Sequence, residues 1–386
     1  MEIGGGKMKI FIASEFRCTV FKGKYYLAPK AFTIYKRYAD AFGKVTLCCR
    51  FEEKEKLMEG YKEATFVSEI VPIDSLYGVL FGKYKNIMTN EIKKCDLVIA
   101  RMPSIIAYRA TDYAKKVGVP YLAELMGDAW DSYWNHDLCG KFIAFYMDQK
   151  MKKVAWQANY SLYVTDKYLQ KRYPCKNKGI NASNVVIKSI DERVLEKRIE
   201  KIRKFDKTKI SLMTTGGVGV RHKGQQFVIR AIKELKKQGI EVVYYLAGGG
   251  NQNYLKKIAL NEGVEDNVIF LGELTVNEVY KYIDLVDIYI QPSLQEGLPR
   301  SVIEAMSRGC PCIGSRTAGT PELIENEYIF KRSSVKGIES AVIKILSENL
   351  EKIAKRNFEF SKRYKEDVLS ERRNEYFYKI KNEILF

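Results

Sequence analysis

The sequence predicts an α/β protein built from two doubly wound domains that face each other across a cleft. Short apolar runs alternate with amphipathic helical stretches, and several runs are continuous enough to be strands buried on both faces of a parallel sheet. The same rhythm occurs before and after a charged segment at 191–208. With 386 residues, the chain is also longer than one ordinary hydrophobic core supports.

Each element follows from the local pattern. In the first domain, 1–190, the predicted strands are 9–14, 45–49, 96–101, 119–125, 160–165 and 184–188. In the second domain, 209–365, they are 210–215, 242–248, 267–272, 286–291 and 310–315. The segment 191–208 is predicted to connect the domains, part helix and part linker. Residues 366–386 alternate charged and apolar side chains, which predicts a helix that packs back on the first domain.

The composition excludes several classes of protein. No run approaches the roughly 18 apolar residues of a membrane span, and the first residues lack the apolar core of a signal peptide. Eight cysteines form no CxxC pair, and with only two histidines no metal-ligand cluster is visible. Most cysteines lie in apolar runs, which predicts reduced, buried thiols in a cytoplasmic protein.

The net charge of +18 would attract polyanions such as nucleic acid, anionic lipid or phosphorylated small molecules. By itself the charge favours a generally solvated basic surface over a specific binding patch. A basic nucleic-acid-binding protein would explain the charge and stays an alternative, but the sequence contains no zinc finger, helix-turn-helix or combined aromatic and basic motif that would predict it.

Two carboxylates lie close together in EGLPRSVIEAMSRGCP, residues 296–311, which follows a predicted strand. Pro299 suits the first position of a helix, and Gly309 suits its end. Glu296 precedes this helix and Glu304 lies about five residues into it, or about 7 Å along the axis. The two carboxylates should therefore point into one cavity and reach opposite ends of an elongated ligand.

The start of that helix predicts an anion site between the two acids. Free backbone N–H groups near Arg300 and Ser301, with the positive end of the helix dipole, could hold a pyrophosphate without a metal ion. Carboxylates repel phosphate, so Glu296 and Glu304 should face neutral hydroxyl groups, those of a sugar at one end and of a ribose at the other. The stretch therefore predicts a site for a nucleotide-sugar.

The longer phrase EGLPRSVIEAMSRGCPCIGSRTAGTPELI, residues 296–324, resembles the retaining glycosyltransferases of family 4, the group 1 glycosyltransferases of GT-B fold with two Rossmann-like domains. Their pattern places two glutamates eight positions apart, as Glu296 and Glu304 are here. The resemblance extends through most of 209–330. It implies that Glu296 contacts hydroxyls of the donor sugar and Glu304 those of the ribose.

The resemblance also implies further donor contacts. Gly297 and Leu298 would approach the donor sugar and its phosphates. Lys223 matches a family lysine that grips the diphosphate, and its charge would stabilise the leaving group. The arginine that the family carries in the same loop is missing, because Gly217 stands at its place. Arg221 lies close by, and the match leaves open whether it replaces that arginine.

Two other regions resemble parts of the family less strongly. Backbone groups near Gly272 and Leu274 are expected beside the nucleotide base. In the first domain, GDAWD at 127–131 matches a family phrase and makes Asp128 the candidate catalytic group on the acceptor side. His136, close behind it, is more simply explained as an ordinary loop histidine.

The loop after the first predicted strand, 13–32, departs from the family pattern. Many relatives have a pair of glycines here, whereas this chain has only Gly23 in a basic and aromatic setting. We expect that this loop could hold a phosphate of the acceptor.

Together these features predict a retaining hexosyltransferase of surface polysaccharide synthesis. It would move a sugar from a UDP- or GDP-linked donor to a hydroxyl of a glycan or lipid-linked acceptor, without a metal ion. A departing phosphate oxygen would take the proton of the acceptor. The basic segments 150–153 and 171–178 could hold this cytoplasmic enzyme against an anionic inner membrane face. The alternative is a nucleotide-sugar epimerase of similar fold, although no suitable set of histidines and acids is seen.

Overall fold

A computed structural model describes residues 7–58, 60–135, 138–177 and 179–386, except for the side chain of Cys139. The chain forms two compact units. The first contains the described residues up to Tyr133, together with Lys141–Ala182 and Ser370–Phe386. The second contains Trp134–Gly140 and Ser183–Leu369.

The first unit contains a largely parallel sheet. Its strands are β1 (Met8–Phe21), β2 (Lys24–Leu27), β3 (Gly43–Glu53), β4 (Lys62–Glu63), β5 (Val67–Ile73), β6 (Leu97–Met102), β7 (Tyr121–Leu125), β8 (Tyr160–Tyr163) and β9 (Ile180–Asn181). The order is β4-β2-β1-β6-β7-β8-β9, and β3 lies between β1 and β5. Strand β2 pairs antiparallel with both β1 and β4, and the other pairs are parallel.

Helices cover both faces of this sheet. In chain order they are α1 (Pro29–Phe42), α2 (Leu76–Leu80), α3 (Lys85–Lys93), α4 (Ile105–Val117), α5 (Ala129–Trp134), α6 (Leu138–Gln157) and α7 (Tyr168–Arg172). On one face, the hydroxyl of Tyr121 in β7 donates to the carbonyl of Val154 in α6 at 2.8 Å. On the other, the ring of Phe377 near the end of the chain packs against Tyr38 and Phe42 of α1, with centroids 5.3 and 5.2 Å apart.

The predicted loop at 13–32 is wrong, because β1 continues to Phe21 and its residues 18–21 pair with β2. The turn of this hairpin is Lys22-Gly23, and both residues have positive φ angles of 49° and 73°. Such a pair is what a tight two-residue hairpin turn requires. Arg17 and Lys24, two of the basic residues expected to face a phosphate, each pair with a glutamate of a neighbouring strand.

The second unit has a sheet whose strand pairs are all parallel. Its strands are β10 (Lys209–Thr215), β11 (Glu241–Ala247), β12 (Val268–Gly272), β13 (Ile288–Gln291), β14 (Cys312–Ser315) and β15 (Ile329–Phe330). The helices that follow α7 are α8 (Glu192–Arg203), α9 (Gln225–Lys237), α10 (Asn253–Glu262), α11 (Val276–Leu285), α12 (Arg300–Met306), α13 (Thr320–Leu323), α14 (Val335–Ser347), α15 (Leu350–Ser361) and α16 (Glu366–Leu385).

The strand order of the second sheet, β12-β11-β10-β13-β14-β15, reverses direction between β10 and β13. At such a switch point, open α/β sheets bind their ligands in the crevice outside the carboxyl ends of the strands. The loops after β10 and β13 therefore frame the place where a ligand of this unit is expected.

The boundary between the units differs from the predicted one at residue 190. The predicted strand 184–188 is reduced to a single parallel bridge, which joins Ile187 to Lys365 within the second unit. The charged segment is also more than a linker. Helix α8 carries the buried Arg198, whose guanidinium donates to the carbonyls of Val286 and Ile283 at 2.6 and 2.5 Å. These hydrogen bonds hold α8 in the second unit.

Candidate active site

Lys223 and Glu296 meet at the switch point of the second sheet. The ammonium Nζ of Lys223 lies 2.8 Å from Oε1 of Glu296. Their side chains are 25% and 13% exposed, so the pair is accessible but partly withdrawn from water. One residue follows β10 and the other follows β13, and 73 positions separate them in the sequence.

The backbone of the loop after β10 is pressed against the loop after β13. Gly224 has a φ of 76°, and a Cβ at this position would lie only 2.0 Å from the carbonyl oxygen of Pro292. The backbone N–H of Leu294 donates to the carbonyl of His222 at 2.8 Å. Glycine is therefore required where the two loops cross, and the crossing brings Lys223 to Glu296.

Glu296 is oriented by Gln291, the last residue of β13. The amide Nε2 of Gln291 donates to Oε1 of Glu296 at 2.9 Å. Its own Oε1 accepts from the hydroxyls of Ser301 and Tyr289 at 2.9 and 3.2 Å. Gln291 is not among the site residues that the sequence predicts. The available signal was an amide that ends a buried apolar strand, because such a group must find partners.

The segment that contains Gly297 and Leu298 is held from the other side by the loop after β14. The backbone N–H of Gly319 donates to the carbonyl of Gly297 at 2.8 Å, and the preceding Ala318 has a positive φ of 28°. Leu298 is buried. Within the described part of the chain, Oε2 of Glu296 makes no hydrogen bond, so this oxygen can accept one from a ligand.

Glu304 lies on α12, as predicted, at the fifth position of a helix that begins at Arg300. Pro299 precedes the helix as its N-cap and is not its first residue. Burial raises the pKa of the Glu304 carboxyl, and the nearby charge of Arg300 partly opposes this shift. Gly309, with a φ of 62°, follows the end of the helix.

Gly217 and Gly272 belong to glycine-rich turns that hydrogen-bond to each other. The N–H of Gly248 donates to the carbonyl of Gly272 at 2.8 Å, and the N–H of Val218 donates to the carbonyl of Gly249 at 3.0 Å. These bonds occupy the carbonyl of Gly272 with protein contacts. Leu274, beyond the end of β12, is half-buried.

Arg221 lies beside these turns and not against the Lys223–Glu296 pair. Its guanidinium stacks over the ring of Tyr254 in α10, 4.6 Å from the centroid. The side chain is exposed. A stacked, exposed guanidinium keeps its hydrogen-bond donors in its own plane and available to an anion.

Asp128, in the first unit, is engaged by protein groups. Oδ2 accepts from the hydroxyl of Tyr168 at 2.7 Å and from Arg172 at 3.1 Å, and Oδ1 accepts from the hydroxyl of Tyr173 at 2.8 Å. Arg172 and Tyr173 also bind Asp148. This buried network holds the chain after β7, and a catalytic role for Asp128 stays a prediction. His136 lies outside the described residues.

A metal site is not evident in residues 7–58, 60–135, 138–177 and 179–386, where no three His, Cys, Asp or Glu side chains group as ligands. Independence from metal stays a prediction.

Comparison with known proteins finds a family match within the second unit. Residues 196–366 match the family "Glycosyl transferases group 1". Among curated relatives, protein CapJ of Staphylococcus aureus is 29% identical over 392 residues, which cover 97% of this chain and 93% of CapJ. The amylovoran biosynthesis glycosyltransferase AmsK of Erwinia amylovora is 37% identical over 111 residues, 27% of each protein. These matches support the resemblance to group 1 glycosyltransferases, and assignment to family 4 and retention stay predictions.

The solved structures support the same glycosyltransferase fold. HepE of Anabaena, in complex with UDP, aligns with a TM-score of 0.63 at 14% sequence identity. The alignment covers 96% of this chain and 99% of the HepE chain. HepE has also been solved with UDP-glucose. At this identity the likeness concerns the fold alone. The α/β architecture with parallel sheets and its GT-B neighbours confirm the predicted fold class.

Proposed function

We propose that this glycosyltransferase moves a hexose, with retention, from a UDP- or GDP-linked donor to a hydroxyl of a growing surface polysaccharide. The observation that carries the proposal is the Lys223–Glu296 pair at the switch point, where α/β sheets bind their ligands. AmsK, which acts in amylovoran biosynthesis, and the UDP-glucose complex of HepE support the choice of acceptor and donor class.

Lys223 supplies the charge that a departing diphosphate needs. Its Nζ has one anionic neighbour, Glu296, and its side chain remains accessible at the carboxyl edge of the sheet. A fixed ammonium beside the phosphates stabilises the negative charge that grows as the bond to the sugar breaks. We expect Arg221, stacked on Tyr254, to contact the same diphosphate in place of the missing family arginine.

Glu296 divides its two oxygens between protein and donor. Oε1 accepts from Lys223 and Gln291, which fixes the direction of the carboxylate. Oε2 then accepts from a hydroxyl of the donor sugar. Glu304, half-buried on α12, accepts from the ribose. A hydrogen bond from a hydroxyl group to a charged carboxylate is stronger than one to a neutral acceptor.

The transfer step uses the leaving diphosphate as the base. The bond between the anomeric carbon and the phosphate oxygen breaks, and its electron pair stays on the diphosphate. The acceptor oxygen forms its bond to the anomeric carbon from the same face, and its proton passes to the departing phosphate oxygen. Retention follows because attack and departure share one face of the sugar.

The acceptor is proposed to be a glycan, free or carried on a lipid at a membrane surface. No helix in the described ranges is both long and apolar enough to cross a bilayer. The predicted basic segments are partly engaged within the protein. Lys150 pairs with Asp112, and Lys152 pairs with Asp148.

The test is transfer from a panel of UDP- and GDP-sugars by wild type and by Glu296→Gln, with Glu327→Gln as the matched control. Glu327 is an exposed glutamate of the same unit. We expect Glu296→Gln to lose about 100-fold or more in kcat, as when a group that stabilises the transition state is removed. The control should match the wild type.

Full activity of Glu296→Gln would contradict its assigned role. Incubation with donor alone separates transfer from the alternative function. An epimerised nucleotide-sugar, formed in the absence of any acceptor, would show an epimerase instead.

A further inference from the structure

One surface of the first unit exposes large aromatic side chains in a cluster. On α6, Phe142, Phe145 and Tyr146 are 89%, 63% and 60% exposed. Tyr77 in α2 and Phe81 directly after it are 70% and 87% exposed. Single exposed apolar residues are ordinary on a protein surface, but a contiguous group of aromatic rings marks a docking surface. These five residues are called the aromatic surface below.

The contacts around α4 bring the two parts of this surface together. A groove between α2, α4 and α6 is lined by Leu80, Ile105, Tyr108, Arg109 and Tyr146, among others. Arg109 of α4 donates to the carbonyl of Leu80 in α2. Because Phe81 follows Leu80 in the chain, it borders the same groove as Tyr146.

Lysines surround the aromatic surface. The segments 74–94 and 141–157 together contain eight lysines and three acidic residues, and four of the lysines, Lys83, Lys94, Lys150 and Lys152, pair with Asp74, Glu91, Asp112 and Asp148. One of those acids, Asp148, is buried and bound by Arg172 and Tyr173. Lys85 and Lys153 are exposed. Exposed aromatic rings with lysines beside them are typical of surfaces that insert into the headgroup region of a bilayer.

We propose that the aromatic surface docks the first unit onto an anionic lipid bilayer. The rings would enter the boundary between headgroups and acyl chains, while Lys85 and Lys153 would contact the lipid phosphates. A symmetric contact between two copies of the chain would place this basic surface against itself, and like charges would oppose it. The proposal concerns binding alone and does not depend on transfer of a sugar.

The experiment is flotation of the full chain with vesicles made of equal parts phosphatidylglycerol and phosphatidylcholine, without any nucleotide-sugar. The test variant is Phe142→Ser/Phe145→Ser. The matched control is Tyr378→Ser/Phe386→Ser, which removes two aromatic rings that are 54% and 98% exposed. These lie at the end of the chain, whose helix α16 packs on the opposite face of the sheet. Equal thermal unfolding shows that all three proteins are folded.

We expect wild type and control to float with the anionic vesicles and the test variant to lose at least about tenfold in partitioning. Lys85→Glu/Lys153→Glu should also weaken binding, and high salt should weaken the binding of the wild type. No flotation of the wild type would overturn the proposal, as would equal flotation of the test variant. Self-association that the test substitutions abolish, without binding to vesicles, would show that a second copy occupies the surface instead.

Discussion

At the scale of single residues, the candidate site depends on how each charge is shared between protein and ligand. Glu296 gives one oxygen to Lys223 and Gln291 and keeps the other for a ligand. Asp128 gives both oxygens to neighbouring side chains. A carboxylate with a remaining acceptor can bind substrate, whereas a fully bonded one in a buried network stabilises the chain around it.

Arg221 and Gly217 allow a direct test of the missing arginine. We expect Arg221→Ala to weaken donor binding about tenfold or more, because it removes a charge-assisted contact to phosphate. Adding Gly217→Arg should restore much of the affinity. The backbone of Gly217 lies outside the left-handed region, and a Cβ there would lie 3.2 Å from a methyl group of Val220, which can shift slightly.

The measurement is titration calorimetry with the preferred nucleotide-sugar. Arg230→Ala, which removes a positive charge from α9 in the same unit, is the control and should bind as the wild type does. Unchanged affinity of Arg221→Ala would show that Lys223 holds the diphosphate without it.

Glu304 should link both stability and donor affinity to pH. Burial raises the pKa of its carboxyl in the folded protein, so the folded state binds the proton more tightly than the unfolded state does. The stability that Glu304 contributes is therefore present below its unfolded pKa, about 4.3, and is lost as pH rises through the folded value. In the proposed donor complex, the ionised form of Glu304 is also the one that would accept from the ribose.

We expect Glu304→Gln to remove this pH dependence. Without donor, the variant should gain stability relative to wild type as pH rises from about 4 through the raised pKa of Glu304. Its donor affinity should be low and flat, whereas that of the wild type rises over the same range. Urea denaturation and calorimetry at a series of pH values check both effects. If Glu304→Gln binds the donor as tightly as the wild type does at neutral pH, Glu304 does not contact the donor.

At the scale of elements, the site is made by two loops that cross at the switch point between β10 and β13. The loop after β10 bonds to the loop after β13 through His222 and Leu294, and the loop after β14 bonds to the same segment through Gly319. The order of the strands brings the loops together, and hydrogen bonds between their backbones set their positions.

Gly224 should be the most sensitive position of this crossing. It has a φ of 76°, and Gly239 has a φ of 78°, but only at Gly224 would a Cβ meet another group, the carbonyl oxygen of Pro292 at 2.0 Å. We expect Gly239→Ala to cost about 1 kcal/mol of stability, because alanine adopts the left-handed backbone conformation less readily than glycine does. Gly224→Ala should cost about 1–3 kcal/mol more, as overpacking does, and should raise the donor KM. Urea denaturation of both variants measures the difference, and equal costs would contradict the crossing described here.

At the scale of the whole molecule, each unit has its own sheet and its own core. The first unit also contains a buried ion pair, in which Nε of Arg101 lies 2.5 Å from Oε2 of Glu124. Both side chains are only 1% exposed, and the guanidinium is flanked by the rings of Phe16 and Tyr35. Residues from Ser370 onward return to this unit, although α16 begins in the second.

Glu124→Ala should destabilise the first unit by about 3–5 kcal/mol, because it leaves the buried charge of Arg101 without its main partner. The double variant Arg101→Met/Glu124→Leu should recover most of that loss, since it removes both charges and keeps the volume filled. Urea denaturation followed by circular dichroism compares the two. A double variant as unstable as the single one would mean that the pair itself contributes the stability.

The amino-acid sequence by itself determined the alternation of strands and helices, the parallel sheets and the positions of Lys223 and the two glutamates. Periodicity and turn residues are local properties, and the phrase that resembles group 1 glycosyltransferases is contiguous. This explains why the predicted strands of the second unit match β10 to β14, within two residues at each end. It also explains why Glu304 falls on α12.

Only the tertiary structure decided which residues meet. The extension of β1 into a hairpin, the inclusion of α8 in the second unit and the engagement of Asp128 all depend on partners distant in the chain. The same is true of Gln291, whose partners become visible only when β13 and α12 are in place. Hydrogen bonding and burial each depend on two groups that are distant in the chain. A local sequence pattern describes one of these groups and does not specify its partner.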